Sequence, residues 1–439
     1  MERRTFIKSA TLTGLGITAF GLLGAKENPF YANLKVNEQR ILTRINELAK
    51  FGRDNNNRGY RVAYTQGDID GRTWFMQLMK NAGLHPTIDS AGNIIGKRNG
   101  KNPSLKPIAF GSHIDMVPDG GNYDGTLGSI SALEVIEVLN EQKVLTAHPL
   151  EVLIFANEEG GLIGSRAMVG QLTPEGLQQL SQSGVMMAAG IKAIGGNPDD
   201  IQGAIRKKGD LHAFLELHIE QGGILENENL PIGVVEGIVG ILDCEVTIEG
   251  FANHAGTTPM KLRKDALLAA SKLVIAVNEV INGVPGSQVG TVGKIQAQPG
   301  AYNVVPGNVT LGLEIRDLSW DKIEQLLSKI EQRAAQIANE TKTKIMFIRE
   351  ASFSKPALTA PYLQKKINNC AATLGLKTKV MPSGAGHDSQ QIAAIAPVGM
   401  IFVPSVGGVS HSPNEFTKAS DMTNGANVLL QTILSIDRE

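Results

Sequence analysis

The spacing of hydrophobic positions divides the chain into regions of different character. Up to about residue 240, short apolar runs alternate with segments in which apolar residues recur every three or four positions. Runs at 107–110, 151–156 and 211–217 predict buried strands, and segments such as 126–139 predict helices. This alternation is typical of an α/β fold with a mostly parallel sheet.

A second pattern occupies residues 241–350. Its predicted elements are 241–249 (strand), 265–281 (helix), 287–296 and 309–317 (strands), 321–338 (helix) and 343–349 (strand). This order is the split pattern of ferredoxin-like domains. The α/β alternation then resumes, so we predict one catalytic domain in two parts, 36–240 and 351–439, interrupted by an inserted α+β domain.

The first 25 residues have the character of a targeting segment. Arg3 and Arg4 precede an uncharged run from Ser9 to Ala25 that is rich in Gly, Ala and Thr. The run is short for a membrane span, which needs about 20 strongly apolar residues. It resembles a twin-arginine export signal, whose arginines are read by a receptor. We therefore expect export to the periplasm and no membrane contact beyond this segment.

The composition and the absent motifs argue against several classes of function. The 439 residues carry a formal net charge of -1, which gives no indication of nucleic-acid binding. The two cysteines, Cys244 and Cys370, form no CxxC pair, which argues against an iron–sulfur or cysteine-type zinc site. The chain has neither the H-E-x-x-H pattern of single-zinc proteases nor the G-x-S-x-G pattern of serine hydrolases.

Histidines and acids cluster where predicted strands end. Carboxyl ends of strands in α/β sheets are where catalytic groups gather. Imidazole nitrogen and carboxylate oxygen are also the atoms that zinc accepts as ligands. The clustered residues are His113, Asp115, Asp124, Glu158, Glu159, His218 and His411.

These residue types fit a pair of metal ions. Two ions need a bridging carboxylate, and their shared water needs a free carboxylate nearby to take its proton. We assign Asp124 as the bridge, His113 and His218 to one ion, and Glu159 and His411 to the other.

Two carboxylates remain beside this ligand set. Glu158 is left as the general base, and Asp115 is placed to orient His113. Each of the seven residues alone also fits a structural role, as a hydrogen-bonded loop histidine, a helix cap or a solvated acid. Their joint occurrence at strand ends favours the metal centre.

Several longer motifs carry a resemblance to a known family. They are GSHIDMVPDGGNYDG, NEEG, ELHIEQG, NHAGTTPM, NVVPG, SGAGHDSQ and SHSPNEF. From about residue 37 to the C-terminus the chain resembles the M20 metallopeptidases. HIEQG and NHAGTTPM indicate the amidase branch, which includes N-carbamoyl-L-amino acid hydrolases, β-ureidopropionases and allantoate amidohydrolases. The resemblance implies hydrolysis of a linear C–N amide bond in an N-carbamoyl-L-amino acid or related ureido acid.

The resemblance also implies an architecture and a cofactor. We expect a mixed-sheet metallohydrolase domain with an inserted ferredoxin-like lid that dimerises. Each subunit is expected to hold two divalent ions, zinc first, with manganese or cobalt as alternatives. His254 would stabilise the oxyanion in the partner's active site within a homodimer, and Arg316 would bind the substrate carboxylate.

Further substrate contacts follow from the same resemblance. Gln221 and Asn303 would hydrogen-bond the substrate. His387, Gly384 and Ala385 would line the pocket. Family members often carry an Arg-Phe pair after the NEEG glutamates, whereas residues 160–166 look shortened here. This departure leaves the exact substrate open.

Three alternatives stay open from sequence. Allantoate or another ureido compound fits the same branch. A dipeptidase or aminoacylase fits the same family, because one fold hosts many substrates. A periplasmic solute-binding protein with a hinged cleft belongs to another class, but it would need no base beside a dimetal cluster, so Glu158 and Glu159 argue against it.

Overall fold

The structure is a computed structural model that describes residues 34–56, 58–350 and 354–438. The predicted export signal lies outside these residues. The described helices are α1 (Glu38–Leu48), α2 (Gln66–Asn81), α3 (Thr126–Glu141), α4 (Ile163–Met168), α5 (Pro174–Leu177), α6 (Met187–Ala193), α7 (Ile224–Glu228), α8 (Ala266–Asn282), α9 (Trp320–Thr341), α10 (Pro361–Thr373), α11 (Asp388–Ile392) and α12 (Ala419–Ile436).

The strands include every predicted one and several others. They are β1 (His85–Ile88), β2 (Ile94–Arg98), β3 (Ile108–His113), β4 (Leu150–Phe155), β5 (Ala213–Ile219), β6 (Ile232–Ile238), β7 (Gly240–Glu249), β8 (Asn253–His254), β9 (Val289–Gln298), β10 (Val304–Val305), β11 (Asn308–Asp317), β12 (Lys344–Arg349), β13 (Ala357–Leu358), β14 (Thr378–Ser383) and β15 (Val398–Val403).

The larger sheet has the order β1-β2-β4-β3-β5-β15-β6-β13, with β14 also paired to β6. Its centre, β4-β3-β5-β15, is parallel. Antiparallel pairs flank the centre on both sides, at β2–β4 and at β15–β6. The sheet is therefore mixed rather than mostly parallel. The sequence pattern missed β1, β2, β6 and β13. The strands β1 and β13 are short and lie at the edges of the sheet, and β2 and β6 contain glycine, so each gives weak hydrophobic periodicity.

The central strands are buried along their whole length. Every residue of β3, β4, β5 and β15 is buried. Helices α3 and α12 pack on this sheet, which explains why these strands read as continuous apolar runs. No helix in the described part of the chain has the length and apolar character that a bilayer crossing requires.

Residues 240–349 build the second sheet. Its order is β12-β7-β11-β9, and every neighbouring pair is antiparallel, as the predicted ferredoxin-like order requires. Alternate side chains of β7 and β11 pack with α8 and α9 in a separate hydrophobic core. The short strands β8 and β10 pair with each other as a two-stranded ribbon beside this sheet. The domain boundaries at 240 and 350 stay a prediction.

Candidate metal centre and active site

The predicted ligands meet at the carboxyl edge of the parallel strands. Because β4, β3, β5 and β15 are parallel neighbours, the segments that follow them open at the same edge. His113 ends β3, His218 lies near the end of β5, and the segments after β4 and β15 carry Glu159 and His411. Asp124 lies just before α3, between the two sets of ligands.

The first ligand group consists of His113, Asp124 and His218. Their candidate ligand atoms all lie within 4.8 Å of one another. Asp124 Oδ1 is 3.4 Å from Nε2 of His113 and 3.2 Å from Nε2 of His218. All three side chains are buried, so the carboxylate is surrounded by imidazole nitrogens rather than water.

Hydrogen bonds fix the direction of both imidazoles. His113 Nδ1 lies 3.1 Å from the backbone oxygen of Asp115, and His218 Nδ1 lies 2.9 Å from that of Ile219. A carbonyl oxygen only accepts, so each Nδ1 is the donor and each Nε2 of the neutral ring keeps a lone pair. The lone pair of His218 Nε2 accepts the backbone N–H of Gly125 at 3.0 Å. The absence of a side chain at Gly125 leaves room for the His113 ring, since a Cβ there would lie 2.2 Å from His113 Nε2.

The second ligand group consists of Asp124, Glu159 and His411. His411 Nε2 is 3.5 Å from Asp124 Oδ2 and 3.4 Å from Glu159 Oε2. Asp124 thus directs one oxygen to each group, which is the arrangement expected of a bridging carboxylate. His411 is half-exposed, so the second position opens towards solvent.

The residues present fit bound cations. Nε2 of His113 and Oε1 of Glu159 are buried without a hydrogen-bond partner in the described residues. Burial, followed by the neighbouring Asp124, raises the pKa of Glu159 to about 8. A carboxyl group in such surroundings gains its charge when a cation is placed against it. The chemistry of the donors, imidazole and carboxylate, suits zinc and similar ions.

Asp115 has a wider role in the structure than the sequence indicated. The hydrogen bond to His113 comes from the Asp115 backbone oxygen, while its carboxylate lies 3.6 Å from that ring. The two carboxylate oxygens accept the backbone N–H groups of Glu158 and Glu159 at 3.3 and 3.2 Å. Asp115 therefore fixes the loop after β4 against the loop after β3.

Glu158 lies beside the first ligand group but outside both groups. Its Oε2 is 3.7 Å from His113 Nε2, and the side chain is buried. Burial raises the pKa of Glu158 well above its usual range; the nearby His113 opposes this shift, and Asp388 adds to it. A buried carboxyl group that is not a candidate ligand has the position that a general base needs.

Gln221 lies against the shared carboxylate. Its amide nitrogen donates to Asp124 Oδ2 at 2.6 Å, and its backbone adopts a left-handed conformation with φ 58°. A carboxylate oxygen only accepts, so the amide oxygen of Gln221 must face away from Asp124. This oxygen is buried without a hydrogen-bond donor in the described residues.

Sequence reasoning missed Glu415, although it quoted the motif that contains it. Oε1 of Glu415 accepts the backbone N–H groups of Tyr123 and Asp124 at 2.8 and 3.1 Å. Ser410 Oγ lies 2.9 Å from both Asp124 Oδ2 and Glu415 Oε2. Glu415 and Asp124 are 291 residues apart, so no local pattern could have connected them.

Three residues that were predicted to contact the substrate lie at or next to a cavity beside Gln221. Gly384 and Ala385 line a cavity of about 340 Å³ together with Gln221. Arg316 on β11 donates to the Gly384 backbone oxygen at 2.7 Å. Its guanidinium also pairs with both carboxylate oxygens of Glu314, rather than with the adjacent Asp317.

His387 is placed differently from the prediction. It is buried behind the first ligand group, with its ring 4.5 Å from that of His218, and it does not line the cavity. Its Nε2 is 2.9 Å from Ser383 Oγ, so it does not pair with Asp388. Burial, followed by the nearby His218, lowers the pKa of His387 well below its usual range, which keeps the ring neutral.

His254 and Asn303 lie together on the β8–β10 ribbon, and both are exposed. The Asn303 backbone oxygen accepts the N–H of Ala255. His254 Nδ1 accepts the N–H groups of Gly256 and Thr257 at 3.0 and 3.2 Å. In the neutral ring Nε2 therefore carries the hydrogen. These hydrogen bonds are all local to the ribbon and its loop.

Fold and site together define the class of protein. Two groups of metal-type ligands share one carboxylate at the carboxyl edge of an α/β sheet, with a buried carboxylate beside them. This arrangement is that of a metal-dependent hydrolase.

Comparisons with known proteins agree with this class. The model of peptidase family M20/M25/M40 matches residues 109–435, so the chain belongs to that family. It is 39% identical to the N-carbamoyl-L-amino acid amidohydrolase of Geobacillus stearothermophilus, over 90% of this chain and 97% of that protein. The ureidoglycolate hydrolase of Arabidopsis thaliana is 37% identical, over 92% and 88%. A solved amidase of the hydantoinase/carbamoylase family from Burkholderia multivorans aligns with a TM-score of 0.87 and 35% identity, covering 92% and 99%.

Proposed function

We propose that this hydrolase cleaves the C–N amide bond of an N-carbamoyl-L-amino acid or a related ureido acid. The observation that carries the proposal is Glu158, buried 3.7 Å from His113 and outside both ligand groups that share Asp124. Hydrolysis would release the free amino acid, with the carbamate breaking down to ammonia and carbon dioxide. The names of two relatives, an N-carbamoyl-L-amino acid amidohydrolase and a ureidoglycolate hydrolase, support this choice of substrate.

Two divalent cations, zinc first and manganese or cobalt as alternatives, complete the proposed site. His113 and His218 would hold one, Glu159 and His411 the other, and Asp124 would contact both. When bound, these cations would polarise the substrate carbonyl and acidify the attacking water.

The protein's own residues supply the proton transfers. Glu158 takes a proton from the water that adds to the carbamoyl carbon, and then delivers it to the nitrogen that leaves. Asp115 keeps Glu158 in place through the hydrogen bond to its backbone N–H. Arg316 anchors the substrate carboxylate through the donors of its guanidinium that Glu314 and Gly384 leave available.

The amide oxygen of Gln221, which has no hydrogen-bond donor among the described residues, supports a carbamoyl substrate over a peptide. The terminal NH₂ of a carbamoyl group is bonded to the carbonyl carbon and is a donor, whereas a dipeptide has a carbon at that position and its α-ammonium group lies one bond further out. A buried acceptor without a donor penalises a substrate that cannot satisfy it. Dipeptides are therefore the weaker candidates, and allantoate stays within the proposal as a ureido compound.

The proposed active form is a homodimer in which His254 reaches the partner's site. Residues close in sequence to the β8–β10 ribbon expose four large apolar side chains: Phe251, Met260, Leu262 and Tyr302. Strand β9 is an edge of its sheet and exposes Val289 and Ile295. Exposed apolar side chains on an unpaired edge favour association with a second copy. The periplasmic location remains part of the proposal.

The test uses purified protein loaded with zinc, manganese or cobalt. We expect ammonia and free amino acid from N-carbamoyl-L-amino acids, and no turnover after chelation. Glu158→Gln should lower kcat by about 10²- to 10⁴-fold, the usual contribution of a positioned general base. Metal content, measured by mass spectrometry, should stay that of the unmodified protein.

Three results would count against the proposal. Cleavage of dipeptides without ammonia release would keep the metal centre and move the protein to the peptidases. Full activity of Glu158→Gln would show that Glu158 is not the general base. Tight ligand binding without any turnover would support a binding protein.

A further inference from the structure

We propose that the cavity beside Gln221 receives the substrate's side chain and selects apolar side chains. The inference rests on the function proposed above and narrows its substrate to N-carbamoyl derivatives of apolar amino acids. The cavity measures about 340 Å³, within the range that small-molecule pockets occupy.

The floor of the cavity is continuous with the hydrophobic core. Met381 on β14 and Phe402 on β15 line it, and both belong to a buried apolar cluster. Pro382 adds another apolar surface, and Ile224 at the start of α7 lies at its wall with 45% of its surface exposed. A large aliphatic side chain left this exposed beside a cavity would be covered by an apolar ligand.

Charge is directed away from the cavity. Glu220 is the one ionisable side chain among the described residues that line it. Its two oxygens accept the backbone N–H groups of Ile224 and Leu225 at 2.7 and 2.8 Å. The carboxylate is thereby held against the first turn of α7. A carboxylate in the cavity would lose water without gaining a cationic partner among the described residues that line it, and a second ureido group would be desolvated against the apolar floor.

The cavity lies between the two ends of the proposed substrate. On one side, Gln221 bonds Asp124, and the Phe402 ring is 6.5 Å from that of His218. On the other side, Gly384 lines the cavity and its backbone oxygen accepts a hydrogen bond from Arg316. A substrate that spans from the metal centre to Arg316 would therefore place its Cα substituent at this cavity.

The experiment compares kcat/KM across substrates that differ in the side chain. Metal-loaded protein is assayed with the N-carbamoyl derivatives of leucine, methionine, phenylalanine, glycine and aspartate, and with allantoate. We expect the three apolar substrates to exceed glycine by about 10- to 100-fold, as burial of several methylene groups implies. Aspartate and allantoate should fall below the apolar set.

Ile224→Asp tests the wall of the cavity directly. It should lower the leucine-to-glycine ratio of kcat/KM by about tenfold, because it places a carboxylate beside the bound side chain. Leu145→Asp is the matched control, since Leu145 is 46% exposed against 45% for Ile224. Leu145 precedes β4, at the opposite edge of the sheet from the site, so this variant should leave the ratio unchanged.

The outcomes separate this inference from the proposed function. Equal or better turnover of glycine, aspartate or allantoate would overturn the apolar pocket and leave carbamoyl hydrolysis standing. An unchanged ratio in Ile224→Asp with intact thermal stability would also overturn it. Absence of ammonia release from every carbamoyl substrate, with dipeptides cleaved, would overturn both.

Discussion

At the residue scale, several residues of the candidate site have backbone conformations that residues other than glycine rarely adopt. Asn157, Gln221 and His411 all have left-handed backbones, with φ of 51°, 58° and 52°. Each lies in the centre or directly beside it, and such conformations cost on the order of 1–3 kcal/mol each. The surrounding fold holds them because they direct the amide of Gln221 and the imidazole of His411 towards Asp124.

Glu415 supports the backbone of the loop that carries Asp124. Replacing it by alanine removes the acceptor for the N–H groups of Tyr123 and Asp124, so the Asp124 loop loses its support. We expect Glu415→Ala to weaken metal binding by about 10- to 100-fold, as loss of a residue that supports a ligand does. Titration calorimetry of the metal-free protein measures this directly.

The conservative variant separates positioning from folding. Glu415→Gln keeps an oxygen that can accept the same two N–H groups, so it should retain most of the metal affinity. Thermal unfolding of the metal-free proteins checks that both variants fold. Unchanged affinity in a folded Glu415→Ala would show that the Asp124 loop does not depend on this contact.

At the scale of elements, an ion-pair network joins α1 to α3. Glu134 on α3 is fully buried and accepts hydrogen bonds from Arg40 Nε at 2.6 Å and from the N–H of Asn37 at 2.8 Å. Arg40 also contacts Glu141, whose side chain is 53% exposed. Since α3 begins directly after Asp124 and Gly125, this network steadies the helix that presents the shared carboxylate.

The two glutamates give a matched pair of predictions for stability. Glu134→Ala removes the buried acceptor of the Asn37 N–H and of Arg40, which keeps Glu137 at 3.2 Å, and should cost about 2 kcal/mol of unfolding free energy. Glu141→Ala removes an exposed partner of the same arginine and should cost less than about 1 kcal/mol. Urea unfolding of the metal-free proteins compares them. Equal costs would contradict the distinction between buried and exposed partners.

At the scale of the whole molecule, the role proposed for His254 depends on a second copy of the chain. The hydrogen bonds of His254 are local to its ribbon and loop, whereas Glu158 lies buried beside His113 at the sheet edge. If a second copy supplies His254, activity depends on dimer formation. Neither half of the site is then complete in a single chain.

Complementation tests this dependence. Glu158→Gln and His254→Ala should each be nearly inactive alone. When the two are unfolded together and refolded as a mixture, mixed dimers contain one site with both residues intact, so about a quarter of the unmodified activity should return. A mixture as inactive as its components would show that His254 acts within its own chain or not at all.

The sequence by itself determined what depends on short-range chemistry. Apolar periodicity predicted the central strands, the long helices and the ferredoxin-like order of the second sheet, because burial on one or both faces leaves a regular pattern. The choice of His113, Asp124, Glu159, His218 and His411 followed from residue type and position at strand ends, and the structure brings these residues together.

Only the tertiary structure decided the contacts between distant segments. Three such contacts are the support of Asp124 by Glu415, the two hydrogen bonds that Asp115 accepts from the loop after β4, and the burial of His387 behind His218. All three depend on which strands are neighbours. The apolar cavity likewise combines α7, β14 and β15, which are far apart in the chain. Local patterns carry no information on such pairings, because strand order is fixed by packing of the whole sheet.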